Sequence, residues 1–115
     1  MAEIAIVGDG PGGLSAALFL ARSENSVTVY GIDATVMHYA FLNNYLGIEA
    51  ISGTDFQTAA RNQVEQAGAA LSSEEVTAVS VNDGSITLTT ESGDAEVDFL
   101  ILSAVSYTHL RAHET

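Results

Sequence analysis

Cysteine and lysine are both absent from this chain, tryptophan is absent too, and there is one proline. Without cysteine the 115 residues hold no disulfide, no thiolate metal site and no redox-active thiol pair. Three arginines are all that oppose fifteen carboxylates, for a net charge of −12. So acidic a surface repels phosphate backbones, which excludes general nucleic-acid binding. Lysine depletion on this scale points to a high-salt cytoplasm. At molar salt the Debye length falls to ~3 Å, and exposed carboxylates scarcely repel each other. Lower salt is then expected to destabilise the fold. No apolar run approaches the ~18 residues of a membrane span, and the start lacks the basic stretch and cleavage site of a signal peptide. The expectation is a soluble, cytoplasmic protein with no membrane partner, forming one small domain or a piece of one.

What is present is concentrated at the start. The apolar run Glu3-Ile4-Ala5-Ile6-Val7 meets Gly8-Asp9-Gly10-Pro11-Gly12-Gly13, and an apolar helical pattern follows through Leu14, Ala17, Leu18, Leu20 and Ala21. Strand, glycine turn and helix in that order form the dinucleotide-binding fingerprint. Gly8 permits the tight turn, Gly10 lets the backbone approach a pyrophosphate, and Gly13 lets helix and strand pack closely. The diphosphate would rest on unpaired N–H groups at the positive end of the helix dipole.

The pattern predicts a helix over 12–23, a turn at Glu24-Asn25-Ser26 and a second strand Val27–Tyr30 ending at Gly31. From Ala34 to Ala50 the chain is irregular and aromatic. Ser52 or Thr54 caps a helix over 55–67, with Phe56, Ala59, Ala60, Val64 and Ala67 on one face and Gly68 at its end. Strands are predicted over 75–81, 85–90 and 96–102, with turns at Asn82-Asp83-Gly84 and Ser92-Gly93-Asp94. The run Phe99-Leu100-Ile101-Leu102 reads as a strand buried on both faces of a parallel sheet.

From Glu3 to about Ala104 the chain resembles the FAD-binding half of the thioredoxin-reductase-like flavoproteins, the class with two dinucleotide-binding domains. The resemblance rests on the Gly8–Gly13 turn, Asn44-Tyr45-Leu46-Gly47-Ile48, Ile51-Ser52-Gly53-Thr54-Asp55-Phe56, Gln66-Ala67-Gly68-Ala69 and Leu100-Ile101-Leu102-Ser103-Ala104, in that order. It implies an α/β fold: a Rossmann-like FAD/NAD(P)-binding domain of three layers, with a parallel sheet and an inserted β-hairpin or meander, incomplete, over residues 1–104. It also implies a cofactor site for FAD at Gly8, Gly10, Pro11, Gly12 and Gly13, with Asn44 and Tyr45 beside the flavin. Structural alternatives stand next to these roles. Asn44 could cap a turn, and Tyr45 could be core. His38 lies in the segment that wraps the flavin ring in the family; its imidazole either tunes the flavin and shuttles a proton or is simply packed or exposed.

Three departures from the family pattern bear on chemistry. Gly31 stands where the family has a ribose-binding acid at the end of the second strand; Asp33 either reaches in from the loop to serve instead or is a solvated loop carboxylate. Leu46 replaces a proline whose fixed φ stiffens the loop. The family's redox cysteines and second glycine fingerprint are both missing, so no residue here is expected to be catalytic.

Residues 105–115 carry two of the three histidines and fit no strand pattern. They read as a non-native tail from truncated sequencing. His109 and His113 are spaced for one helix face but lack a third ligand, so no metal is expected. Without the tail two arginines and fourteen carboxylates remain, and the net charge is unchanged.

The expectation is the amino-terminal, FAD-binding part of an FAD-dependent NAD(P)H oxidoreductase from a haloarchaeal source, inactive by itself. NAD(P) would be the electron donor of the complete enzyme, a homodimer is compatible with it, and the electron acceptor is open. The alternatives are a non-catalytic flavin-binding redox sensor and an NAD(P)-binding dehydrogenase domain.

Overall fold

The computed structural model describes residues 1–103 and the backbone of 111–114. Ten strands and two α-helices follow one another in the order β1 (Glu3–Val7), α1 (Pro11–Arg22), β2 (Ser26–Tyr30), β3 (Phe41–Leu42), β4 (Ile51–Ser52), α2 (Gly53–Gln66), β5 (Ala70–Ser72), β6 (Ala78–Asn82), β7 (Ser85–Thr90), β8 (Gly93–Val97), β9 (Phe99–Leu102) and β10 (Arg111–Glu114). A 3-10 turn at Val36–Tyr39 precedes β3.

Strand β1 organises everything because both of its faces are apolar. Ile4 and Ile6 point one way, into a core with Leu14 and Ala17 of α1, Val27 and Val29 of β2, and Val64 of α2. Ala5 and Val7 point the other way, against Val76, Val79, Leu88 and Val97 beneath the antiparallel meander. Period-two alternation along one strand thus builds both cores. The result is three layers: two helices, a parallel sheet of order β5-β2-β1-β9, and a sheet of order β10-β6-β7-β8. The β1–α1–β2 crossover, with β2 hydrogen-bonded parallel to β1 from Glu3↔Ser26 to Val7↔Tyr30, is the unit that the glycine turn and helix pattern predict.

Local signals hold where they are strong. Ser52 caps α2 by accepting from the Asp55 N–H at 3.1 Å, and Gly68 ends it at φ 106°. Asp83 and Gly84 both have positive φ, 39° and 83°, as the tight β6–β7 hairpin requires.

Elsewhere tertiary contacts redraw the sequence pattern. The expected strand over 96–102 is two strands. Asp98 breaks it: its N–H donates to the Glu3 carbonyl at 2.8 Å, and its carboxylate accepts from the Glu3 N–H at 2.8 Å. The chain therefore passes from the meander into the main sheet there. The turn expected at 92–94 lies one residue earlier, since Gly93 already pairs with Thr90. β5 was not legible as a strand; its three residues pair with β2 from Thr28↔Ala70 to Tyr30↔Ser72.

Strand β9 is an edge strand and not one buried on both faces, for Phe99 is 60% and Leu102 54% exposed. On α2, Ala59 is exposed and Gln57 takes the buried place on that face. Arg111–Glu114 does form a strand, parallel to β6, where the sequence showed none. The open edge of β6 offers unpaired N–H and C=O groups that pair with backbone whatever the side chains. His109, half of the discounted metal pair, lies outside the described residues, and among those there is no group of metal-ligating side chains. No helix among the described residues is long and apolar enough to cross a membrane.

Glu74 staples the two sheets together. It accepts from Ser72 at the end of β5 at 3.0 Å, from Ser92 at the meander tip, and from Thr90 at 3.4 Å. The hydroxyl of Ser92, followed by that of Ser72, holds the Glu74 carboxyl below its ordinary 4.5. A lowered folded-state value means the staple is at full strength above pH 4.5 and is lost as the pH falls through the folded value. The gap in melting temperature between wild type and Glu74→Gln is therefore expected to be widest near neutrality and to close on acidification. Thermal melts of both proteins across that range check it; a constant gap would contradict it.

Candidate nucleotide site

The carboxyl ends of β1, β2 and β9 converge on the start of α1. The β1→β2 crossover leads to one side of β1 while β9 returns on the other, the topological switch point at which open α/β sheets bind ligands. Gly8 turns the chain out of β1 at φ 113°, with its N–H on the Tyr30 carbonyl at 2.9 Å. Gly10 is the N-cap and provides no side-chain cap, Pro11 opens the helix, and no acid lies in the first turn. The first intrahelical acceptance by Gly10 is from Leu14, at 3.0 Å. The N–H groups of Gly12 and Gly13 thus lack helical acceptors, as helix geometry dictates, and no acid within the first turn of α1 competes for them.

The glycines are enforced sterically as well. A Cβ on Gly13 would stand 2.0 Å from the Gly8 carbonyl oxygen, and one on Gly12 would stand 3.2 Å from Ser103 Oγ, just past β9. At Gly10 the crowding atom is Thr35 Oγ1, 3.0 Å from a Cβ. The loop after β2 therefore leans over the turn.

That loop is tied to the turn by a polar network joining four segments. Asp9, 7% exposed, accepts at Oδ2 from Arg61 Nη1 of α2 at 2.8 Å and from the Asp33 N–H at 2.9 Å. Gln57, fully buried, donates from Nε2 to the Asp9 carbonyl and toward Asp33 Oδ1 at 3.4 Å. Its Oε1 has no hydrogen-bond partner among the described residues. Asp33, held at φ 57°, meets His38 Nε2 at 3.1 Å, and His38 Nδ1 meets Thr54 Oγ1 at 2.8 Å. Oδ1 of Asp33 thus faces both His38 and Gln57, and His38 is neither loose nor buried.

Asn44 and Tyr45 lie apart from this network. They line a hollow of about 560 Å³ formed by residues 43–49. Tyr45 is not core: it is 58% exposed, with its ring 6.4 Å from that of Phe56. Asn44 is exposed and makes no side-chain hydrogen bond among the described residues, so it caps no turn. Around them the chain shows Ile32, Val36, Tyr39, Phe41 and Leu46, all more than half exposed. So much apolar surface on one short segment marks a site to be covered.

The structure gathers Gly8, Gly10, Pro11, Gly12 and Gly13 in one turn, as their spacing predicts, and sets Asp33 against His38, a contact the sequence did not reveal. Sequence reasoning missed Asp9, Gln57 and Arg61. Their signal was long-range, with partners 24 to 52 residues apart. One local hint existed: an acid inside the glycine turn of a chain that lacks the acid at Gly31.

Residues 2–105 match the family described as pyridine nucleotide-disulphide oxidoreductase. Over 79 residues the chain is 35% identical to a thioredoxin reductase of Spironucleus barkhanus, covering 66% of this chain and 26% of that protein. Among solved structures, the atypical thioredoxin reductase of Desulfovibrio vulgaris Hildenborough superposes with a TM-score of 0.81 at 32% identity, over 92% of this chain and 38% of that one. The thioredoxin reductase of Giardia duodenalis superposes with a TM-score of 0.82 at 29% identity, over 88% of this chain and 34% of that one. The chain thus spans between a quarter and two-fifths of the length of these relatives.

Proposed function

Because this chain belongs to the pyridine nucleotide-disulphide oxidoreductase family, we propose that it forms the FAD-binding part of a flavin-dependent NAD(P)H oxidoreductase. The observation that carries the reading is the uncapped, acid-free start of α1 at the switch point, set beside an exposed apolar segment. A dinucleotide needs both: donors for its diphosphate, and a hydrophobic cover for its ring system.

The residues fit FAD. The N–H groups of Gly12 and Gly13 would hold the pyrophosphate, with Gly8 and Gly10 shaping the turn and Pro11 fixing the first helical residue. Asn44 would hydrogen-bond near the flavin and Tyr45 would lie against it. His38, anchored by Asp33 and Thr54, would hold the loop that borders the ring. Bound FAD would supply the two-electron chemistry, and this chain would bind and orient it. With no cysteine, these residues exchange no disulfide. The electron donor NAD(P)H, the acceptor and a subunit partner belong to the whole protein. Residues 1–104 would be the native part of the domain and 105–115 foreign to it.

Titration of the full chain in molar salt with FAD and NAD(H) separately, followed by flavin and nicotinamide fluorescence, tests the reading. Saturable FAD binding is expected, weakened at least about tenfold by Gly10→Val, whose branched side chain would intrude between the turn and Thr35, with helical circular dichroism unchanged. Binding of NAD(H) alone would assign a dehydrogenase domain instead, and binding of neither by a folded sample would overturn the flavin assignment.

A further inference from the structure

A Cβ built on Gly31 falls 2.4 Å from Asp9 Cγ, 2.5 Å from its Oδ1 and 2.7 Å from its Oδ2. The Asp9 carboxylate and a side chain at position 31 would occupy the same space, so the chain has one or the other. Dinucleotide folds place an acid at the end of the second strand, where it accepts hydrogen bonds from the ribose hydroxyls. Here strand β2 ends in a glycine, and a carboxylate from the glycine turn stands in the vacated place.

We infer that Asp9 is the ribose-binding acid of this domain, moved from the end of β2 into the glycine turn, and that Gly31 is glycine because Asp9 fills its side-chain space. The inference rests on the dinucleotide reading above. Three features of the site support it. Oδ2 takes both internal hydrogen bonds, from Arg61 and from the Asp33 N–H, which fixes the carboxylate plane. Oδ1 makes no hydrogen bond among the described residues and remains an acceptor for a hydroxyl. Arg61 is already paired with that carboxylate at 2.8 Å, so it is not a free cation for a 2′-phosphate. Asp33 acts as a positioning residue through its backbone N–H, which donates to Asp9 Oδ2. The pocket so built accepts an unphosphorylated ribose and rejects a 2′-phosphorylated one.

The test uses adenosine diphosphate and its 2′,3′-dideoxy analogue as probes, titrated calorimetrically into the full chain beside the FAD titration. Wild type is expected to prefer the hydroxylated nucleotide by roughly tenfold, the range of a hydrogen bond to a charged acceptor. Asp9→Ala should bring that preference to about one, and Asp9→Asn, which keeps the shape and the packing, should shrink it if the alanine variant fails to fold. Combining Asp9→Ala with Gly31→Glu returns an acid to the strand end and should restore the preference, a rescue that a merely structural Asp9 would not show. FAD uptake with an unchanged preference in both single variants overturns the inference alone. A folded wild type that takes up no FAD overturns the reading it rests on, and the inference with it.

Discussion

Gly13→Ala is expected to destabilise the chain by about 3 kcal/mol and to abolish FAD uptake. The sign is opposite to the usual one, since alanine in a helix interior normally outdoes glycine by about 1 kcal/mol. Here the new methyl would lie 2.0 Å from the Gly8 carbonyl oxygen, against a floor near 3.0 Å for real Cβ contacts. The obstacle is backbone, and it is pinned, because Gly8 donates to Tyr30 at 2.9 Å. Helix α1 must withdraw by about an ångström, and with it Leu14 and Ala17, which are 2% and 0% exposed. A packed interior does not follow such a shift without losing contacts. Set against a total stability of about 5–15 kcal/mol, the loss is large enough to read as a fall in the urea midpoint. A variant melting like wild type would show that the turn is looser than described.

The second large effect is expected at Arg61. Arg61→Ala would leave the Asp9 carboxylate, whose side chain is 9% exposed, with the Asp33 N–H as its remaining donor. Removing one partner of a buried pair costs about 3–5 kcal/mol; with Arg61 21% exposed, partial solvation brings the expectation to about 2–4 kcal/mol. Arg61→Lys should recover only part, because an ammonium cannot reproduce the planar guanidinium contact. The decisive comparison is Asp9→Asn combined with Arg61→Met, which removes both charges. It should be more stable than Arg61→Ala alone, since the penalty lies in the stranded charge and not in the missing bond. Urea unfolding of the four proteins measures this, and equal midpoints for the single and double variants would refute it.

How much of this was legible in the sequence follows from the range of the interactions. Elements written by neighbours in the chain were readable: β1, the glycine turn, α1, β2, the Ser52 cap, Gly68 and the Asn82-Asp83-Gly84 turn. Each is fixed by residues within one or two turns of itself. β5 was not readable, because three residues of Ala-Leu-Ser carry no period and become a strand only by pairing with β2. The break at Asp98 escaped for the same reason, as its partner is Glu3. Phe99 and Leu102 looked like interior residues because an apolar run does not reveal whether anything covers it. The glycines of the candidate site were found from their spacing. Asp9, Gln57 and Arg61 converge only after α2 has packed beside the turn, so no window of sequence contains them together.

The Asp98–Glu3 clasp also bears on how the chain is made. β1 leaves the ribosome before every other described strand, yet its neighbour β9 lies 95 residues downstream of it at the clasp. At about 5–20 residues per second, one edge of the central strand waits on the order of 5–20 s for its partner. During that interval Ile4, Ala5, Ile6 and Val7 are an apolar strand paired on one side at most, the kind of edge that recruits other nascent chains. A closing strand so distant from the opening one makes this fold slow to complete, and leaves its early life dependent on whatever shields β1 in the cell.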